Sequence, residues 1–265
     1  MRLSILGWRV RVDCDDPELE PYVKCLYAGL GEAQGRDGDH IRLVRSRRKG
    51  HWQGVSLSGQ AAEWARASDA LAWLDDELTV GVQTRRPDLL FLHAAAITRG
   101  ERVALLVAES GGGKSTTTWA ALHHGFSLLS DELAPVEPAS LLVHPYLRSI
   151  CLKSRPPRGY PLPAGALHGG GAHMIPTRLL PTAPAGPLAM IAFVSYQPKD
   201  PQPSLRPISV AESAARLYAQ SLNPLAHRAD GLEAVLRVAS RARSFVLRSG
   251  DLPRTCALLT DALGG

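Results

Sequence analysis

The sequence is poor in cysteine, and the four it has (Cys14, Cys25, Cys151 and Cys256) include no CxxC pair. A zinc site is therefore not expected. No apolar run reaches membrane-spanning length, so no membrane partner is expected. The opening residues, Met1 to Gly7, lack a long apolar region and run straight into charged ones, so no secretory leader is expected. There is no internal repeat. The basic residues carry no interleaved aromatics and no recognised recognition module, which argues against a nucleic-acid partner. These absences together lead us to expect a cytoplasmic protein with reduced thiols.

What is there fits a globular α/β chain. At 265 residues and 45% hydrophobic content, the protein can build a sizeable core as one domain or two. The net charge of +5 is mildly basic. Its one cluster, Arg45-Ser46-Arg47-Arg48-Lys49, reads as the solvated tip of a hairpin between Ile41–Val44 and Trp52–Leu57. Residues 1–86 read as a small α+β region. Within it, Leu3–Val12 is strand-like, Asp16–Gly29 is a short helix, and Ser68–Val82 is an amphipathic helix with Ser68 as its cap. Trp8, Trp52, Trp64 and Trp73 read as core anchors.

Residues 87–265 read as a second region. Leu89–Thr98 and Arg102–Val107 look like a hairpin, turning at Arg99-Gly100. Residues 126–136, 141–152, 188–196 and 244–247 read as strands. Helices are expected at 210–221, 232–243 and 250–263, the last capped by Asp251. Residues 155–187 are rich in proline and glycine and show no period, so a mobile functional loop or lid is expected there.

The chemistry centres on Ala108-Glu109-Ser110-Gly111-Gly112-Gly113-Lys114-Ser115-Thr116. This run lies between the strand ending at Val107 and a helix-compatible stretch reaching His124. Glycines let the backbone approach phosphate oxygens. The helix N-terminus adds partial positive charge. Lys114 is placed to reach the β/γ-phosphates and the Ser115 hydroxyl to ligate Mg²⁺. Residues Glu109, Ser110, Gly111, Gly112, Gly113, Lys114, Ser115 and Thr116 are thus the expected nucleotide-binding set. Ala108 stands where the strict pattern has glycine.

A phosphate loop needs a carboxylate beside it. The helix from Ser115 to His124 carries the chain about 15 Å away. The strand Phe126–Ser130 brings it back about 17 Å. Asp131-Glu132 therefore lands near the loop, where Asp131 can hold Mg²⁺ or accept a hydroxyl proton. His93, alone among Leu and Ala, reads from the residues as an ordinary structural histidine.

Three segments in register resemble the bacterial HPr kinase/phosphorylase family. They are Leu92-His93-Ala94, the loop Glu109–Ser115, and Gly125–Glu132. The resemblance covers roughly residues 88–155. It implies a P-loop kinase core like that of phosphoenolpyruvate carboxykinase, with ATP and Mg²⁺ as cofactors. Lys114 and Gly111–Gly113 would hold phosphates, Ser115 and Asp131 the metal. Asp131 would act as base, Glu132 as its acidic neighbour, and His93 as the family's site histidine. Arg148 and Lys153 are candidate phosphate or substrate contacts. The chain departs from the family at Ala108 and Glu109, and lacks its arginine loop and N-terminal domain. Its pattern is closer to HPr-kinase-related proteins found with peptide-biosynthesis genes, including those acting on lasso-peptide precursors. The expected activity is transfer of a γ-phosphoryl group to a Ser or Thr hydroxyl of a small protein or peptide. A small hydroxyl metabolite as acceptor, or a nucleotide-binding regulatory subunit with little transferase activity, are the alternatives. Members are often oligomeric, so the resemblance also carries a homo-oligomer as an expectation.

Overall fold

The computed structural model describes residues 1–34, 38–169, 171–197 and 202–264. Strands β1 (Arg2–Ile5) and β2 (Trp8–Cys14) form a hairpin. Their alternation buries Leu3, Ile5, Trp8, Val10 and Val12. The two turn residues, Leu6 and Gly7, both have positive φ, as a tight two-residue hairpin requires. Helix α1 (Glu20–Tyr27) then crosses to β3 (Asp39–Arg45), which pairs parallel to β2. Strands β4 (Trp52–Val55) and β5 (Ala61–Trp64) complete a five-stranded sheet in sequence order. Arg47, Arg48 and Lys49 sit exposed at the β3–β4 turn.

Helix α2 (Ala67–Arg85) packs on this sheet through Ala70, Leu74, Leu78 and Val82, one face of a 3.6-residue period. It begins one residue earlier than its sequence suggested, with Arg66 as N-cap and no side-chain cap. The Ser68 hydroxyl donates to Asp69 instead. Trp8 and Trp52 are buried, and Trp64 stacks on Trp73 at 4.9 Å. The N-terminal core takes in Leu89, Phe91, Leu133, Tyr146 and Met174 from further along the chain.

The rest of the chain is built on a nine-stranded mixed sheet. In chain order come β6 (Leu90–Leu92), β7 (Ala94–Arg99), β8 (Arg102–Val107) and helix α3 (Lys114–His123). Then follow β9 (Ser127–Ser130), β10 (Ala134–Val136) and β11 (Leu142–Val143). Strands β12 (Ile150–Leu152), β13 (Leu167–Gly169) and β14 (Ala172–Ile175) form a separate small sheet. Strand β15 (Gly186–Tyr196) returns to the main sheet and lies parallel to β8. It is followed by β16 (Ser204–Pro207), α4 (Val210–Tyr218), α5 (Leu232–Arg241), β17 (Arg243–Ser249) and α6 (Leu252–Gly264).

Three parallel strands, β8, β15 and β17, form the centre of this sheet. Both of its faces are covered, which is why β8 and β15 read as near-continuous apolar runs. Ala104 and Leu106 of β8 share a core with α3 and α6. Val103, Leu105 and Val107 share another with α4 and α5. Helix α6 opens as expected, with the Asp251 carboxylate accepting the Arg254 N–H at 2.9 Å.

The stretch 155–187, expected to be a loop or lid because it shows no period, contains regular structure. It contains β13 and β14, which extend β12 into a three-stranded sheet. Tyr22 of α1 anchors the hairpin by donating to the His168 carbonyl at 3.3 Å. Strands of three or four residues are too short to show a period in sequence. Gly170, inside that stretch, lies outside the described residues.

Candidate functional site

Strand β8 delivers the chain to the glycine loop and α3 carries it away. Gly111 (φ 82°) and Gly113 (φ 96°) both occupy the left-handed region. At Gly113 the requirement is double, because a Cβ there would also overlap the Tyr196 side chain. The loop is pinned from two sides. The Gly112 N–H donates to the Glu109 carbonyl at 2.9 Å, and the Gly112 carbonyl accepts the Tyr196 N–H at 3.0 Å. Ala108 is buried in the core shared with α3.

The carboxylates arrive on β9. Because β7 lies antiparallel to both, β9 runs parallel to β8 with one strand between them. The ladder formed by β6–β7 and β9–β10 is unpaired between Leu92 and Ala96, and its register shifts again between Ala96 and Ile97. Leu92 faces Ala134 and Ala96 faces Ser130, the same register on both sides of the break. His93 occupies the break on one strand, and Asp131 to Leu133 occupy it on the other. The Ser130 hydroxyl fixes this turn by donating to the Leu133 carbonyl at 2.6 Å and accepting the Leu133 N–H at 3.2 Å. The His93 N–H is held by the Gln220 carbonyl at 2.8 Å.

Five side chains meet at this break. Lys114 is buried and donates to the Asp131 carbonyl and to Glu132 Oε2, the latter at 2.9 Å. The Ser115 hydroxyl donates to Asp131 Oδ2 at 2.9 Å. His93 Nε2 meets Glu132 Oε2 at 3.0 Å. Asp131 is buried, and its Oδ1 has no partner. Burial raises its carboxyl above the usual range, with Lys114 pulling the other way. Burial also pushes Glu132 upward, but the His93 hydrogen bond and the Lys114 charge outweigh it and leave the carboxyl at about 2. Glu132 is thus a firm anion, while Asp131 is the more readily protonated of the pair.

His93, Lys114, Ser115 and Glu132 line a cavity of about 360 Å³ together with Glu109, Ser110 and Thr116, while Asp131 lies buried behind Ser115. Lys153 forms part of its wall, its ammonium donating to Ser110 Oγ at 3.2 Å. Arg148 is placed elsewhere. It pairs with Asp75 of α2 at 2.7 Å, and Tyr27 donates to the same carboxylate at 3.0 Å. Tyr196, Cys151 and Ser154 also line the cavity. No local pattern marks them in the sequence; β12 and the end of β15 bring them in. Burial pushes the Cys151 thiol up to about 11, so it is a neutral wall group and not a thiolate nucleophile.

The arrangement fits a nucleotide phosphate chain with Mg²⁺. The glycine loop and the first residues of α3, Lys114 to Thr116, line the cavity, so the helix N-terminus faces it. The orphaned Asp131 Oδ1 beside the Ser115 hydroxyl is a hard-oxygen pair of the kind Mg²⁺ takes from protein, the remaining positions going to water and phosphate. Among the described residues, no group of three or more His, Cys, Asp or Glu forms an all-protein metal cage. No helix among them is long and apolar enough to cross a membrane.

No protein-family model matches the chain, and no curated protein matches it. Among solved structures, it is similar to the Hpr(Ser) kinase/phosphatase from Coxiella burnetii. The two share 13% identity over 66% of this chain and 88% of that one, with a TM-score of 0.36. So distant a likeness of fold transfers no residue roles and no substrate.

Proposed function

We propose that the chain is an ATP- and Mg²⁺-dependent phosphotransferase acting on a Ser or Thr hydroxyl of a small protein or peptide. The observation that carries this reading is the buried, unpartnered Oδ1 of Asp131 beside Ser115 and Lys114. A buried carboxylate oxygen without a partner is costly and calls for a ligand or a proton. In this reading the loop amides, the α3 N-terminus and Lys114 hold the β- and γ-phosphates. Ser115 and Asp131 hold Mg²⁺, which when bound neutralises phosphate charge. The acceptor hydroxyl oxygen bonds to the γ-phosphorus as the bond to the β–γ bridging oxygen breaks. Its proton passes to Asp131, whose burial suits it to accept one. Glu132, fixed by His93, orients Lys114.

A second reading is a nucleotide-binding regulatory subunit. What favours it is that Lys114 is already satisfied by Glu132 and the Asp131 carbonyl. Mass spectrometry separates the two. Native-host lysate is incubated with Mg-ATP and either the protein or Lys114→Ala. A peptide or protein that gains one phosphate only with the unaltered protein supports the transferase. Measurable ATP binding with no phosphate gained by any peptide, protein or hydroxyl metabolite supports the regulatory subunit.

A further inference from the structure

From Pro138 to Pro198 the chain contains no Asp or Glu. The same stretch carries Arg148, Lys153, Arg155, Arg158 and Arg178. Arg148 alone of these five finds a carboxylate among the described residues, Asp75 from the N-terminal region. Beyond β12 the chain forms a second cavity of about 410 Å³, lined by Arg155, Arg158, Tyr160, Leu162 and His173. Arg155 and Arg158 are exposed and make no ion pair or hydrogen bond among the described residues. The loop that presents them includes Pro156, Pro157, Pro161 and Pro163. Fixed proline φ angles limit its freedom, so little order has to be imposed when a ligand arrives.

This cavity adjoins the first. Lys153 and Ser154 line the nucleotide cavity, and Arg155 lines the next. Two residues of chain span at most about 7 Å. Neither arginine lines the glycine-loop cavity, where the loop amides and Lys114 already serve phosphate. A planar guanidinium suits a carboxylate, which it can hold through two parallel hydrogen bonds.

We propose that this second cavity reads a carboxylate on the acceptor. The partner is an acidic peptide segment whose Asp or Glu lies roughly two to four residues from the phosphorylated hydroxyl, the interval an extended chain covers in about 7–14 Å. The hydroxyl half of this statement rests on the phosphotransferase reading; the carboxylate contact does not.

Fluorescence anisotropy on the full chain tests it. The probes are fluorescein-labelled nonapeptide libraries with a central Ser and either Glu or Gln fixed near it, together with a single-stranded oligonucleotide. The Glu library is expected to bind about tenfold tighter than the Gln library, a gap typical of charge-assisted contacts. Arg155→Gln/Arg158→Gln should erase the preference and leave ATP affinity and the melting temperature unchanged. Equal affinity for the two libraries overturns the proposal, as does a preference that survives in the double variant. Loss of ATP binding in that variant, or tighter capture of the oligonucleotide than of the Glu library, also overturns it. Binding needs no turnover, so the two readings fail separately. A Glu preference without phosphate transfer sinks the kinase and keeps the cavity. Equal transfer to both libraries with equal binding does the reverse.

Discussion

The two walls of the glycine-loop cavity are built differently. One wall is sheet: β8, the interrupted ladder and the start of α3, with Lys114 and Asp131 buried in it. The other is the end of β12 with Lys153 and Ser154, both exposed, from which the chain runs on into the proline-rich loop and its two exposed arginines. Burial raises the cost of any unmatched polar group, so the first wall fixes a few groups in one geometry. The second leaves its charges in water, where they are free to meet a partner. On the proposed readings, chemistry belongs to the first wall and selection to the second.

The largest effects should follow from damage to the first wall. Lys114→Ala and Asp131→Asn are each expected to slow phosphate transfer by roughly 10²–10³-fold, the scale seen when a preorganised charge or base is removed. Initial rates at saturating ATP check this, and a loss below tenfold would move both residues out of the machinery. Next comes Arg148, which ties the second wall to α2. Arg148→Ala should cost about 3 kcal/mol by stranding Asp75, seen as a melting temperature several degrees lower. The pair Arg148→Met/Asp75→Leu should recover most of that loss. Failure to recover would mean that Arg148 serves something other than Asp75.

A finer comparison lies within the loop itself. Gly111 and Gly113 share positive φ, but only Gly113 faces Tyr196. Gly113→Ala should therefore destabilise by about 2 kcal/mol more than Gly111→Ala in denaturant unfolding, the extra cost being overpacking. Equal costs would show that Tyr196 yields.

The smallest effect concerns acid. The Glu132 carboxyl falls from 4.5 to about 2 on folding, so the folded state binds its proton later than the unfolded state does. Its stabilisation is present above pH 4.5 and is lost as pH falls toward 2. Partial exposure screens it. Glu132→Gln should flatten the acid-unfolding curve in that window, and an unchanged slope would place the ion pairs elsewhere.

The legibility of the sequence follows the same division. The loop, Lys114, Ser115 and the approach of Asp131 come from short-range signals: an apolar run, three glycines and the arithmetic of one helix and one strand. The break that seats His93 does not show in composition, because Leu89–Thr98 reads as one strand. Its interruption depends on a partner strand some forty residues away and on the Ser130 turn. Only the likeness to another family pointed to His93. The fate of Arg148 is non-local too, set by Asp75 on a separate helix. The small sheet was hidden by brevity, as was β5, since neither offers enough residues for alternation to register.

The ion pair between Glu132 and Lys114 makes the site its own first occupant. On the proposed reading, each phosphate that enters must take the lysine from a carboxylate already seated there. Nucleotide affinity is then a contest between two anions, and Glu132 sets how readily the winner departs. A neutral residue at 132 would let the spent nucleotide linger, slowing turnover through the exit step while the entrance improved.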